Sequence, residues 1–168
     1  MKILTLIRHA KSSWADPALA DFERPLNHRG QRDLPGLVQR MQRQGPRPDQ
    51  LHYSPALRTR LTAEPLKDAF NLHDDEALCS PTLYEADASA LLDVLRRLPN
   101  SVNHTMLVGH NPGLLELVQQ LCPEAPERLP TGTIIQLQLM ISHWSALQCG
   151  CARKLWLDYP KLHRSARK

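Results

Sequence analysis

Long apolar runs are missing from this 168-residue chain. The N-terminal run from Ile3 to Ile7 has the length of a strand and falls far short of a secretion-signal core or a membrane span. The expectation is therefore a cytoplasmic protein with no membrane partner. Paired cysteines are missing as well: Cys79, Cys122, Cys149 and Cys151 show no Cys-x-x-Cys spacing and read as scattered buried thiols. Neither a His-Glu-x-x-His motif nor a carboxylate cluster occurs, which speaks against a metal hydrolase, and no metal or other cofactor is expected. Aromatic residues make up 5% and are not interleaved with basic ones, so nucleic-acid binding would rest on the pI near 9.0 alone and is not expected. The net charge of +4 suits an acidic or phosphorylated partner. Part of that excess sits at Arg153-Lys154 and in the basic C-terminal end, about 160–168, where it reads as a solvated tail. No internal repeat or linker divides the chain, so residues 1–168 are expected to form one domain, with the oligomeric state left open.

What is present begins with Ile3-Leu4-Thr5-Leu6-Ile7-Arg8-His9-Ala10-Lys11-Ser12-Ser13-Trp14. A β-branched apolar run ends abruptly in a guanidinium, an imidazole and a lysine, as a buried strand does when it delivers charge to its C-terminal edge. In open α/β sheets ligands bind at that edge, which makes Arg8 and His9 the first candidates for chemistry. Asn27 is placed to cap a helix running to about Gln44, with Pro35-Gly36 predicting a kink or a late start. Leu51-His52-Tyr53 reads as a second strand, and Ser54-Pro55 as the start of a helix reaching about Phe70. Residues 79–83 read as a weak edge strand or loop, residues 88–98 as an amphipathic helix with Leu91, Leu92 and Leu95 inward, and residues 105–108 as a strand. Asn111-Pro112 should open a helix to Leu121, and residues 133–141 and 147–157 alternate as strands do. Strands separated by helices, with a hairpin-like end, predict an α/β fold: a single three-layer domain whose mixed, mostly parallel sheet is flanked by helices.

Two further segments place charged residues at strand ends. Ser54-Pro55-Ala56-Leu57-Arg58 follows the second strand, with Arg60 beside it reading as a surface residue. Val108-Gly109-His110-Asn111-Pro112-Gly113 ends another strand, where the imidazole would lie beside backbone N–H groups at a positive helix end. Taken singly, Arg58 is a surface arginine and His110 a packed residue. Two arginines and two histidines converging on one sheet edge are not.

In these segments the chain resembles the histidine phosphatase (phosphoglycerate-mutase-like) superfamily, most closely its short SixA-type phosphohistidine phosphatases, from Lys2 to about Gly132. The resemblance implies that Arg8 and Arg58 bind phosphoryl oxygens, that His9 is the nucleophile and that His110 is the second active-site histidine. It also implies that Ser12 and Asn111 help bind the phosphate. Leu129-Pro130-Thr131-Gly132 matches a further, structural segment. Ala10 replaces a glycine, Ala15 an asparagine, and Leu61 a glutamine of the family pattern. Glu85, in Leu83-Tyr84-Glu85-Ala86, falls where relatives place a general acid, and reads equally well as an exposed glutamate capping the next helix. The implied activity is hydrolysis of protein phosphohistidine through a covalent phosphohistidine, with a histidine phosphotransfer domain as partner. A phosphatase of small phosphate esters and a non-catalytic phosphoprotein-binding module are the alternatives. No long insertion roofs the predicted site, which suits a protein substrate.

Overall fold

The side-chain alternation of β1 (Lys2–Arg8) sets the layering. Leu4 and Leu6 join a core on one face of the sheet, Ile7 a second core on the other. The first core is completed by α3 (Ala88–Arg96) and α4 (Gly113–Leu121), through Leu91, Leu92, Leu95, Leu114 and Leu117. The second takes Leu34, Leu37 and Met41 from α1 (His28–Gln44) and Ala63 and Leu66 from α2 (Leu57–Ala69). Each such buried leucine or methionine is worth about 1.5–3 kcal/mol of transfer free energy, enough to carry helices with indifferent local sequence.

This computed structural model describes residues 1–164. Its single sheet runs β3 (Ala77–Cys79), β2 (Gln50–Tyr53), β4 (His104–Gly109), β1, β5 (Ile134–Leu139), β6 (Ala152–Asp158). The first four strands are parallel, and β5 and β6 are antiparallel, as a mixed, mostly parallel sheet requires. Arg8 is level with Gly109, and Tyr53 with Val108, so the ends of β1, β4 and β2 form one edge.

Several local expectations are corrected. Helix α1 neither starts late nor breaks at Pro35: Asn27 Oδ1 accepts from Gly30 N at 2.9 Å, and the buried Leu34, Leu37 and Met41 hold the turn that lacks one N–H. Gly30 is needed there, because a Cβ would lie 2.2 Å from the Lys11 carbonyl oxygen. Helix α2 starts at Leu57 with no side-chain cap, since the Ser54 hydroxyl is engaged elsewhere. Strand β3 lies ahead of the expected 79–83 segment, whose Pro81–Leu83 forms a 3-10 turn. The last strand begins at Ala152, because Trp144–Ala146 is a 3-10 turn that buries Trp144. Cys79 and Cys149 are exposed; only Cys122 and Cys151 are buried thiols. The C-terminal end is not a solvated tail as far as Arg164: Pro160–His163 forms a 3-10 turn, Arg164 pairs with Asp33 of α1, and Asp158 pairs with both Arg40 and His163. Residues 165–168 of that expected tail lie outside the described residues. Among the described residues no helix is long and apolar enough to cross a membrane.

Candidate active site

Because β1, β4 and β2 end level, Arg8, His9, His110 and Ser54 meet at one edge, and the first turn of α2 brings Arg58 to them. Arg8, His9, Arg58 and His110 bound, with Ser12 and Arg24, a cavity of about 180 Å³. The His9 and His110 rings are 5.5 Å apart between centroids.

His9 lies just past the strand, where its Nδ1–H donates to the Ala10 carbonyl at 2.8 Å. That bond fixes the tautomer and leaves Nε2 with a free lone pair. Burial first, and then the nearby His110, Arg58 and Arg8 charges, push its pKa down to about 3, so the ring is neutral at physiological pH. Ala10 fits in place of glycine: its N–H donates to Thr62 Oγ1 at 3.0 Å and it stays buried. Thr62 donates in turn to the Arg58 carbonyl, tying the nucleophile segment to α2.

The two expected arginines are oriented by different partners. Arg8 donates from Nη1 to the Leu129 carbonyl at 2.8 Å, and Gly132 N, at φ +75°, donates to the Arg8 and His9 carbonyls. The Leu-Pro-Thr-Gly segment is thus structural in a definite way, since it aims Arg8. Asn111 Nδ2 donates to the same Leu129 carbonyl at 3.1 Å. Arg58 donates to the Asp21 carbonyl at 2.7 Å, to Asp21 Oδ2 at 3.0 Å and to His110 Nδ1 at 3.3 Å. Arg8 Nε, Arg58 Nε and Asn111 Oδ1 are buried without a hydrogen-bond partner. Buried N–H donors left unpaired cost on the order of 1–3 kcal/mol each, and an oxyanion in the cavity would relieve that cost. The Asn111-Pro112 step opens α4 as expected, with Pro112 as its N-cap and Leu121 as its end; a Cβ at Gly113, its first residue, would lie 2.0 Å from the Ala86 carbonyl oxygen. His110 bonds to Ser54 and Arg58 rather than to helix N–H groups, which corrects the expectation drawn from the Asn-Pro turn.

Four residues at this edge carry weight that sequence reasoning did not assign. The loop 15–25 brings Arg24 to the cavity and Asp21 onto Arg58. Arg24, 6% exposed, donates to Ser12 Oγ at 2.8 Å and to Asp21 Oδ1, and it stacks 3.5 Å above the Trp14 ring. Tyr84 O–H donates to Asp21 Oδ2 at 2.7 Å. Against its partial burial, the hydrogen bonds from Tyr84, Arg24 and Arg58 bring Asp21 down to about 2, so it is ionised and cannot donate a proton. Ser54, fully buried, accepts from or donates to His110 Nε2 at 2.7 Å. Only the acid–aromatic spacing of the loop could have hinted at this network.

Glu85 is exposed, at φ +54°, in a groove of about 430 Å³ that it shares with Arg58, His110 and Asn111. It does not cap the next helix, because Asp87 does, accepting from Ala90 N at 2.8 Å. Leu61 packs beside Leu34 and Val38 of α1, so no amide stands where the family pattern has glutamine. Among the described residues no group of three or more His, Cys, Asp or Glu is placed to hold a metal ion.

The site therefore joins a neutral imidazole with a free Nε2 to guanidinium donors around a cavity of phosphoryl size. Comparison with known proteins agrees. The family model of the histidine phosphatase superfamily (branch 1) matches residues 4–101, more than half of the chain. The chain belongs to the histidine phosphatase superfamily. It is a phosphatase of that superfamily, and the fold is the phosphoglycerate-mutase-like one. An uncharacterized protein of Mycobacterium tuberculosis is 30% identical over 166 residues, covering 92% of this chain and all of that protein. The structure of the protein histidine phosphatase SixA complexed with tungstate superposes at TM-score 0.80 with 25% identity, covering 96% of this chain and 99% of the other. A candidate phosphohistidine phosphatase SixA from Agrobacterium tumefaciens gives TM-score 0.80 and 27% identity over 95% and 98% of the two chains.

Burial of neutral histidines makes stability pH-dependent. His9 is lowered to about 3, and His110 and His104 to about 4, in each case mainly by desolvation. Above the unfolded value of about 6.5 neither state binds these protons; between about 6.5 and 4 only the unfolded chain does. Stability is thus complete above pH 6.5 and lost as pH falls towards 4. His104, 5% exposed, contributes on the order of 3 kcal/mol to that loss. Thermal unfolding scans should show a steep fall in Tm across this window and a shallower one for His104→Gln. Identical slopes for the two proteins would contradict the assignment.

Proposed function

We propose that the chain hydrolyses phosphohistidine in a protein, with a histidine phosphotransfer domain as the class of partner. His9 Nε2 attacks phosphorus as the P–N bond to the substrate imidazole breaks; the departing imidazole keeps or gains a proton, and the phosphoryl group rests on His9. Water then attacks phosphorus, the bond to Nε2 breaks, and inorganic phosphate leaves with His9 restored. In both steps charge spreads over the equatorial oxygens, where fixed guanidinium groups stabilise it without reorganising. Arg8 and Arg58 take that role, with His110, Ser12 and Asn111 completing the phosphoryl contacts.

The observation that carries this reading is the poverty of proton donors beside abundant positive charge. Among the described residues, Asp21, the carboxylate bonded to Arg58, is held ionised, and Glu85, Asp87 and Glu116 stand exposed along the groove at the rim. An alkoxide leaving group needs a proton badly, whereas a phosphohistidine ring that carries a proton on its other nitrogen leaves as neutral imidazole, with a conjugate-acid pKa of about 6.5, and needs little further help. The likeness to SixA supports the same choice. The second reading, a small phosphate ester as substrate, draws on Glu85 facing the groove that contains His110 and Arg58. A phosphoserine phosphatase of Entamoeba histolytica shares the fold at TM-score 0.67 and 14% identity, so the architecture itself is neutral between them.

Glu85→Gln separates the two. It should cost little on a phosphohistidine protein and about 10²–10⁴-fold on an alkyl phosphate, measured as kcat on both substrates. Equal, large losses on both would favour the small-ester phosphatase.

A further inference from the structure

The Ser54 hydroxyl has no part in the phosphoryl contacts above, yet it is completely buried and sits 2.7 Å from His110 Nε2. The other ring nitrogen, Nδ1, lies 3.3 Å from Arg58 Nη2. A guanidinium has only donors, so Nδ1 must be the acceptor here. The ring proton is then on Nε2, and His110 donates to Ser54. That tautomer is the wrong one for catalysis, because a phosphoryl oxygen bound between Arg58 and His110 needs a donor at Nδ1.

Two routes give Nδ1 a proton. One is to protonate the ring fully. Burial, together with the Arg58, Arg8 and Arg24 charges and opposed by Asp21, holds His110 near 4 in the free protein, so before a phosphoryl group binds about a thousandth of the protein carries the imidazolium at pH 7. The Tyr84 ring packs against the same imidazole edge-on, 5.7 Å between centroids, and His9, 5.5 Å away between centroids, is itself neutral. The second route moves the single ring proton from Nε2 to Nδ1 and turns the Ser54 O–H round to donate to Nε2. Ser54 accommodates either arrangement: its oxygen accepts from Ala56 N at 3.3 Å in both, and a serine hydroxyl can donate or accept on its remaining side.

We propose that Ser54 is a positioning residue that sets the tautomer of His110, so that a neutral imidazole accepts from Arg58 in the free protein and donates from Nδ1 to a phosphoryl oxygen when one is bound. This rests on the reading of the cavity as a phosphoryl site. It also gives a physical reason for a hydroxyl, rather than a longer or apolar side chain, at the end of β2. Ser54 fixes the ring and chooses its proton without touching the substrate.

The test is long-range proton–nitrogen NMR of the full chain with nitrogen-labelled histidine at pH 8, with and without orthovanadate as the phosphoryl probe. In the wild type, free His110 should show the Nε2–H tautomer and vanadate-bound His110 the neutral Nδ1–H tautomer. Ser54→Ala should bind vanadate about tenfold more weakly at pH 8, the value of one hydrogen bond, and should recover part of that loss as pH falls and the imidazolium becomes accessible. Ser54→Thr, which keeps the hydroxyl, should restore the Nδ1–H form. The wild-type spectra decide the matter even if neither variant folds. Vanadate that shifts His9 and His110 while His110 keeps its Nε2–H proton, or becomes imidazolium, overturns the role of Ser54 and leaves the phosphoryl site standing. Vanadate that shifts neither histidine overturns both.

Discussion

His9→Ala is expected to lose phosphoenzyme formation and turnover together, with a fall in kcat on the order of 10⁶-fold, the scale seen when a covalent nucleophile is removed. The expectation comes from one hydrogen bond. With Nδ1–H committed to the Ala10 carbonyl, Nε2 is the lone pair presented to the cavity, and burial keeps it unprotonated at physiological pH. His110 cannot substitute, since both of its ring nitrogens are engaged, by Ser54 and by Arg58. The check is transfer of labelled phosphate from a phosphohistidine protein, quenched without acid because the P–N bond is acid-labile. Label that still accumulates on a histidine of the His9→Ala protein, with turnover retained, would show that the nucleophile lies elsewhere.

Arg58→Ala should lower kcat by about 10³-fold, within the range for removing a fixed donor or an arginine from a transferring phosphoryl group. The cost goes beyond one charge. Arg58 spans the Asp21 carbonyl, the Asp21 carboxylate and His110 Nδ1 with one planar group, and its removal leaves Asp21 and His110 without their shared partner. Arg58→Lys should recover little, because an ammonium cannot hold these acceptors in a planar fork. Arg60, two residues on and exposed, provides the control: Arg60→Ala should change kcat by less than about twofold. Equal losses for the two alanine variants would reduce Arg58 to a contributor to overall charge.

The residues at strand ends were legible in the sequence because strand termination is a local event. An apolar run that stops at Arg8-His9, and another that stops at Gly109-His110, announce the sheet edge, and the parallel register then brings them level. The sheet class and the helices that follow from leucine spacing were legible for the same reason. What escaped was set by tertiary contact. Asp21 and Arg24 lie in a loop with no periodicity, and their value comes from meeting Arg58, Ser12 and Tyr84 across the cavity. Ser54 reads as a helix start because serine before proline commonly is one, but the fold gives its hydroxyl to His110 instead. Pro35-Gly36 predicts a kink or a late start, but α1 begins at His28 and runs on through Pro35 with Leu34, Leu37 and Met41 buried. Glu85 stayed ambiguous because the residue that caps α3, Asp87, is only two positions away.

The central claim is the leaving group. Its most direct test compares kcat/KM for a phosphohistidine-bearing phosphotransfer domain with that for a panel of small phosphate esters, using the same enzyme preparation at neutral pH. A site with ample positive charge whose carboxylates, among the described residues, are the ionised Asp21 and the exposed rim groups Glu85, Asp87 and Glu116 should favour the phosphohistidine protein by about 10²-fold or more, the smaller end of what general acid assistance supplies to alkoxide departure. Rapid turnover of one ester, with the phosphotransfer domain left phosphorylated, would contradict it.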